Sequence, residues 1–182
     1  MVGESGYGMA GWSGSSEDES RRSLQRAVRS RLVDSVQVIY NIFDQNPEDE
    51  LFPACDEMDV AVIARVPFDE GTLTGTLTKE SEWPEGGWRN TYFVPGNLVQ
   101  SVERADALKP LVPDGMTMPE MALRCILDNP TVSTVIPGMR KLRHVEANIA
   151  ASDNGPLPPE LHKRLREHRW DHLSSNSLKR RG

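Results

Sequence analysis

Residues 132–152 read VSTVIPGMRKLRHVEANIAAS, a β-branched run, a Pro137-Gly138 break, two cations and then helical spacing. Such a junction can hold an anion. A helix N-terminus offers unpaired N–H groups and a partial positive charge, and Gly138 lets backbone approach a ligand closely. Arg140 can fork onto a phosphate, and Lys141 adds a point charge. The same residues also make an ordinary strand-to-helix connection, so the residues alone leave both readings open. Other groups carry less. His168 and His172 stand at i,i+4, a spacing that can hold a metal on one helix face. No Glu follows His168 as in HExxH and no third ligand is evident, so an amphipathic helix with no metal is expected. Glu48, Asp49 and Glu50 read as a solvated first helical turn. Ser35, Ser101 and Ser133 lack the GxSxG context of an activated nucleophile.

The elements that would position these groups alternate. Leu24, Ala27, Val28 and Leu32 stand at helical spacing. Val33 to Tyr40 reads as a buried strand. Asn46 can cap a helix with Pro47 at its first position. VAVIARVPF is a second strand, followed by a long irregular loop over 67–95, a length that usually marks function or disorder. Asn97 is expected to cap the next helix. Thr117 and Glu120 form a capping box for another. Thr131 to Ile136 is a third strand, and two helices follow it. Strands alternating with helices imply parallel βαβ units, hence an α/β class.

Bulk properties narrow the function. The chain has 182 residues, 37% hydrophobic and 26% charged, enough for one domain with a core. A net charge of −6 argues against broad nucleic-acid binding. No apolar run approaches the ~20 residues needed to span a bilayer, and no membrane partner is expected. Cys55 and Cys125 lie far apart in helical segments and read as reduced core thiols of a cytoplasmic protein. Residues 1–19 are a Gly/Ser-rich flexible segment, 20–173 a domain, and 174–182 a polar and basic tail.

Four collinear blocks, VQVIYNIFDQNPEDELFPAC, VAVIARVPFDEGTLTGTLT, MALRCILDNPTVSTVIPGMR and HVEANIAASD, resemble the aldo/keto reductase family over roughly residues 30–172. The resemblance implies a partial (β/α)8 TIM barrel, roughly its C-terminal half, with parallel strands and flanking helices. It also implies NADP(H) as cofactor and carbonyl/alcohol interconversion as the chemistry. Carried over residue by residue, Gln37 corresponds to the contact with the nicotinamide carboxamide. Arg65 stands where many members stack a tyrosine on the nicotinamide. Pro67, Phe68, Gly71, Leu73 and Thr74 match the loop that crosses the pyrophosphate. Ile136, Pro137, Gly138, Met139 and Arg140, with His144, match the segment around the 2′-phosphate. Asn148 matches the contact with the adenine edge. In this light the opening junction becomes an inherited phosphate cradle.

Catalysis in the family needs an Asp, a Tyr, a Lys and a His, all from the first half of the barrel, and no such half is legible. Tyr7-Gly8 imitates the catalytic tyrosine, but position 2, where the family has Asp, is Val, and the first Lys is Lys79. Tyr7 is therefore read as a loop residue, and VGES as a remnant of a fifth strand. No catalytic residue is assigned. A full barrel takes about 250 residues and eight strands. Three strands leave open edges and leave Val36, Val38, Val62 and Ala64, taken as lumen-facing, without opposite packing. A complementing N-terminal half-barrel or self-association is the expected partner. Three functions stay in view: a cofactor-binding reductase half that is inactive alone, a non-catalytic NADP(H)- or protein-binding module, and a truncated product. Trp83, Trp88 and Tyr92 in the 67–95 loop are expected near the substrate entrance.

Overall fold

The computed structural model describes residues 17–93 and 96–170. Three strands, β1 (Ser35–Ile39), β2 (Ala61–Arg65) and β3 (Val132–Val135), form a parallel sheet in the order β1-β2-β3. Helix α1 (Glu17–Arg29) precedes the sheet, starting ahead of the residue-20 boundary, and α2 (Pro47–Met58) connects β1 to β2. The β2-to-β3 connection holds a 3-10 turn (Asp69–Thr74), a short α3 (Arg89–Tyr92), α4 (Asn97–Leu108) with a 3-10 extension (Lys109–Leu111), and α5 (Met118–Leu127). Helices α6 (Leu142–Asp153) and α7 (Pro159–Arg166) follow β3. Tyr7, the VGES segment, His172 and the 174–182 tail lie outside the described residues.

Alternation along the strands sets the two faces of the sheet. Val36, Val38, Val62 and Ala64 are buried, together with Leu24, Val28, Phe52, Cys55 and Ile126 of the helices. This corrects the expectation that these four face a barrel lumen. They point into the helical layer, and the opposite face carries Gln37, Ile39, Ile63 and Arg65, each half-buried. Four small β-branched or Ala side chains suit a sheet-on-helix contact, where the helix must come close. Between Val62 and Ile63 the β2–β3 register shifts, and the Ser133 hydroxyl accepts from the Val62 N–H at 3.1 Å.

A second core joins the loop after β1 to the later helices through Phe43, Leu73, Leu108, Met121 and Leu165. Each such side chain contributes about 1.5–3 kcal/mol when fully buried. Several local expectations change. Leu32 is 80% exposed, because α1 ends at Arg29 and the chain turns away before a further helical repeat. Asn46 adopts helical angles and makes no side-chain cap; its Oδ1 accepts from Arg169. Asn97 is the first residue of α4, not its cap, and its Nδ2 donates to the Tyr92 carbonyl at 2.9 Å. Thr117 does cap α5, accepting from the Glu120 N–H at 3.2 Å, but the Glu120 carboxylate serves Arg124 and Asn154. The 67–95 loop is less irregular than its composition suggests, since it includes the 3-10 turn and α3.

Candidate cofactor cleft

Parallel strands place all their C-terminal ends on one edge, so the segments that leave β2 and β3 become neighbours. Between them lies an open cleft of about 830 Å³. One wall is the segment after β2, with Pro67, Phe68, Gly71 and Thr74. The other is the β3-to-α6 junction, with Ile136, Gly138 and Arg140, and the first turns of α6 with His144 and Asn148. These residues are far apart in the chain, and each stands out in the sequence by type and motif. Five other candidates, Gln37, Arg65, Leu73, Pro137 and Met139, do not line the cleft. Gln37 and Arg65 are half-buried on the face of the sheet away from the helices, Leu73 is fully buried in the second core, and Met139 is 46% exposed. The side chain of Leu73 therefore serves packing.

The turn after β2 is strained. Val66 has φ 55°, Asp69 45°, Glu70 56° and Gly71 112°. Positive φ at a β-branched residue is rare, and each such residue costs on the order of 1–3 kcal/mol. Asn41 offsets part of this. Its side chain, 2% exposed, donates to the Val66 carbonyl at 3.1 Å and accepts from the N–H groups of Phe43 and Asp44 at 2.9 and 3.0 Å. The loop after β1 thus braces the loop after β2. Sequence reasoning passes over Asn41; its signal is a short polar side chain immediately after an apolar strand.

The opposite wall is cationic. Its charge comes from Arg140 and Arg143, with His144 also lining the cleft; Arg143 is a residue the sequence does not single out. Arg143 Nε donates to His144 Nε2 at 3.4 Å, and Asn148 Nδ2 reaches back to the Gly138 carbonyl at 3.4 Å. A Cβ built on Gly138 would meet nothing within 4 Å, so the fold itself does not require glycine there. The N-terminus of α6 has no side-chain cap.

Acidic and aromatic groups pack around the first wall. Asp69 is buried and accepts from the Tyr92 hydroxyl at 3.2 Å. Burial and the Asp69 charge hold the Glu70 carboxyl above the usual glutamate range, with Arg65 and Arg89 pulling the other way. Trp83 stacks on Phe93 with centroids 4.9 Å apart and planes at 10°. Trp83, Trp88 and Tyr92 do not line the cleft; Arg89, from the same stretch, does. Among the described residues no group of three His, Cys, Asp or Glu side chains gathers to hold a metal. No described helix is long and apolar enough to cross a membrane.

Known proteins are similar to this chain in sequence and fold. The model of the aldo/keto reductase family matches residues 7–169, reaching further toward the N-terminus than the four blocks. The uncharacterized oxidoreductase YqkF of Bacillus subtilis is 26% identical over 145 residues, 80% of this chain and 46% of that protein. The NADH-specific methylglyoxal reductase of Escherichia coli is 30% identical over 122 residues, 65% of this chain and 37% of that protein. The holo form of the aldo-keto reductase AKR11C1 from Bacillus halodurans superposes with a TM-score of 0.61 at 24% identity, over 82% of this chain and 46% of that one. The chain thus spans less than half the length of these relatives. The fold is α/β, a partial (β/α)8 barrel, as the resemblance implied. With matched residues covering most of the sequence, the chain belongs to the aldo/keto reductase family.

Proposed function

We propose that this chain is the NADP(H)-binding part of a carbonyl/alcohol oxidoreductase and that alone it binds the dinucleotide without turning over. The observation that supports this most is the cleft, which joins the strained turn after β2 to the wall that carries Arg140, Arg143 and His144. Its volume lies in the range of small-molecule and cofactor sites. Arg140 and His144 stand where a 2′-phosphate would be recognised, with the uncapped start of α6 adding N–H groups. Asn148 is one helical turn further along α6, placed for an adenine edge. When bound, the cofactor would supply or accept the hydride.

A carbonyl oxygen that receives charge needs a proton donor with a pKa tuned downward toward the working pH. The two described tyrosines are tuned the other way. Burial raises Tyr40, which donates to Glu48 Oε1 at 2.6 Å, and burial with the nearby Asp69 and Glu70 charges raises Tyr92. Neither has a lysine partner among its hydrogen bonds. This favours a chain that requires a complementing N-terminal half-barrel, or self-association, before it can act. The outer edge of β3, unpaired among the described residues, favours the same reading. Cys55 and Cys125 are free and buried, which suits the cytoplasm.

A thermal-melt series with NADPH or NADH tests the proposal. A ligand that binds only the native state stabilises by RT ln(1 + [L]/Kd), about 2.7 kcal/mol at a hundredfold excess over Kd. A Tm increase with NADPH that exceeds that with NADH supports it; no increase with either refutes it. The Escherichia coli relative is named NADH-specific, so the preference is itself informative.

A further inference from the structure

We propose that Arg89 binds the diphosphate of the dinucleotide, supplying charge that the turn after β2 withholds. The proposal rests on the reading of the cleft as a dinucleotide site. A dinucleotide phosphate carries charge in two places, on the adenosine ribose and on the diphosphate bridge. Arg140 and Arg143 form one cationic group at the α6 wall, and one group serves one of these places.

The other wall is poor in free donors. The N–H groups of Gly71 and Leu73 both donate to the Phe68 carbonyl, at 2.9 and 3.0 Å, and those of Asp69 and Gly75 donate to Val66 and Thr72. Thr74 Oγ1 pairs with the Gly71 carbonyl at 2.6 Å and with Thr76 Oγ1 at 2.7 Å. Glu70, on the same turn, lines the cleft and would repel a diphosphate when ionised. The turn therefore has the shape to approach a diphosphate at Gly71 but little attraction of its own.

Arg89 meets that need. It lines the cleft, and its Nε donates to the Glu70 carbonyl at 3.2 Å. The guanidinium lies 5.1 Å from the centroid of the Trp88 ring. Its Nη2 is 3.8 Å from where a Cβ on Gly71 would stand. One edge of the guanidinium is thereby fixed, and the two Nη groups hydrogen-bond to no described residue. A guanidinium held by Nε and backed by an aromatic face can fork onto phosphate oxygens with little further loss of freedom. Because Arg89 belongs to α3, binding at this point also fastens the aromatic segment against the turn.

The test compares wild type, Arg89→Ala and Arg89→Lys with two probes, NADPH and 2′-AMP, which has the adenosine phosphate but no diphosphate. Arg89→Ala is expected to weaken NADPH about tenfold or more, the scale of one charge-assisted hydrogen bond, and to leave 2′-AMP unchanged. Arg89→Lys restores part of the loss, and a melt confirms that the variants fold. Unchanged NADPH affinity in Arg89→Ala, or an equal loss with both probes, overturns the proposal. If wild type binds neither probe, the dinucleotide reading falls and this proposal with it; if wild type binds 2′-AMP and NADPH equally, only the Arg89 contact falls.

Discussion

Arg124 donates from Nε to the Gly155 carbonyl at 2.8 Å and from Nη2 to the Pro156 carbonyl at 2.9 Å, while Nη1 reaches Glu120 at 3.2 Å. This buried guanidinium fastens α5 to the turn between α6 and α7. Its removal leaves two carbonyls without these donors. Arg124→Ala is expected to cost about 2–4 kcal/mol of stability, read from urea unfolding, with Arg124→Lys intermediate because an ammonium cannot reproduce the planar fork. A change under ~0.5 kcal/mol, the level of ordinary surface substitutions, would show that the turn is held otherwise.

Gly138 separates inherited shape from ligand contact. A methyl group at this position would meet open space, so Gly138→Ala should leave the melt essentially unchanged. NADPH affinity should nevertheless fall, because the methyl would intrude where the phosphate meets the backbone. Parallel melts and titrations check this. Equal binding by both proteins would place the phosphate away from Gly138.

Glu70 should impose a pH dependence on stability. Its folded pKa is raised, first by burial and then by Asp69, against the pull of Arg65 and Arg89. The folded state thus holds the proton more tightly than the unfolded state. The stability linked to this proton is fully present below the ordinary glutamate range and is lost as pH rises through the raised value. Glu70→Gln should be the more stable protein above that window, and the difference should vanish in acid. Chemical denaturation at several pH values provides the measurement, and a difference independent of pH would contradict the assignment.

The legible and illegible parts of this molecule divide along physical lines. The three strands are readable because short β-rich stretches, such as Val36 to Ile39 and Val132 to Val135, stand between helical ones. What covers each face is not readable, since alternation marks the buried face without saying whether helices or a barrel lumen cover it; Val36 and Val62 are expected on the wrong side for that reason. Arg140, His144 and Asn148 stand out because one helix start gathers them. Arg89 and Asn41 do not, because their roles depend on contacts across 19 and 25 residues, with Glu70 and Val66. Asn46 and Asn97 mislead because an Asn beside a helix start suggests a cap by type, while its side chain can serve a distant partner instead.

Leu142 and Ile149 are 74% and 55% exposed on one face of α6, and β3 pairs with β2 on one side only among the described residues. Exposed apolar side chains and a strand edge left unpaired each favour association. Sedimentation velocity of the purified chain is expected to show concentration-dependent association, reduced in Leu142→Glu/Ile149→Glu. A monomer at every concentration would remove self-association from the account.

The central claim is that the cleft holds NADP(H) through the cationic wall. A fluorescence titration of wild type and Arg140→Ala with NADPH, using NADH as the control without the 2′-phosphate, tests it most directly. Saturable binding that favours NADPH is expected, with the preference lost in Arg140→Ala. Absence of saturation in wild type, or the same NADPH preference in both proteins, would contradict it.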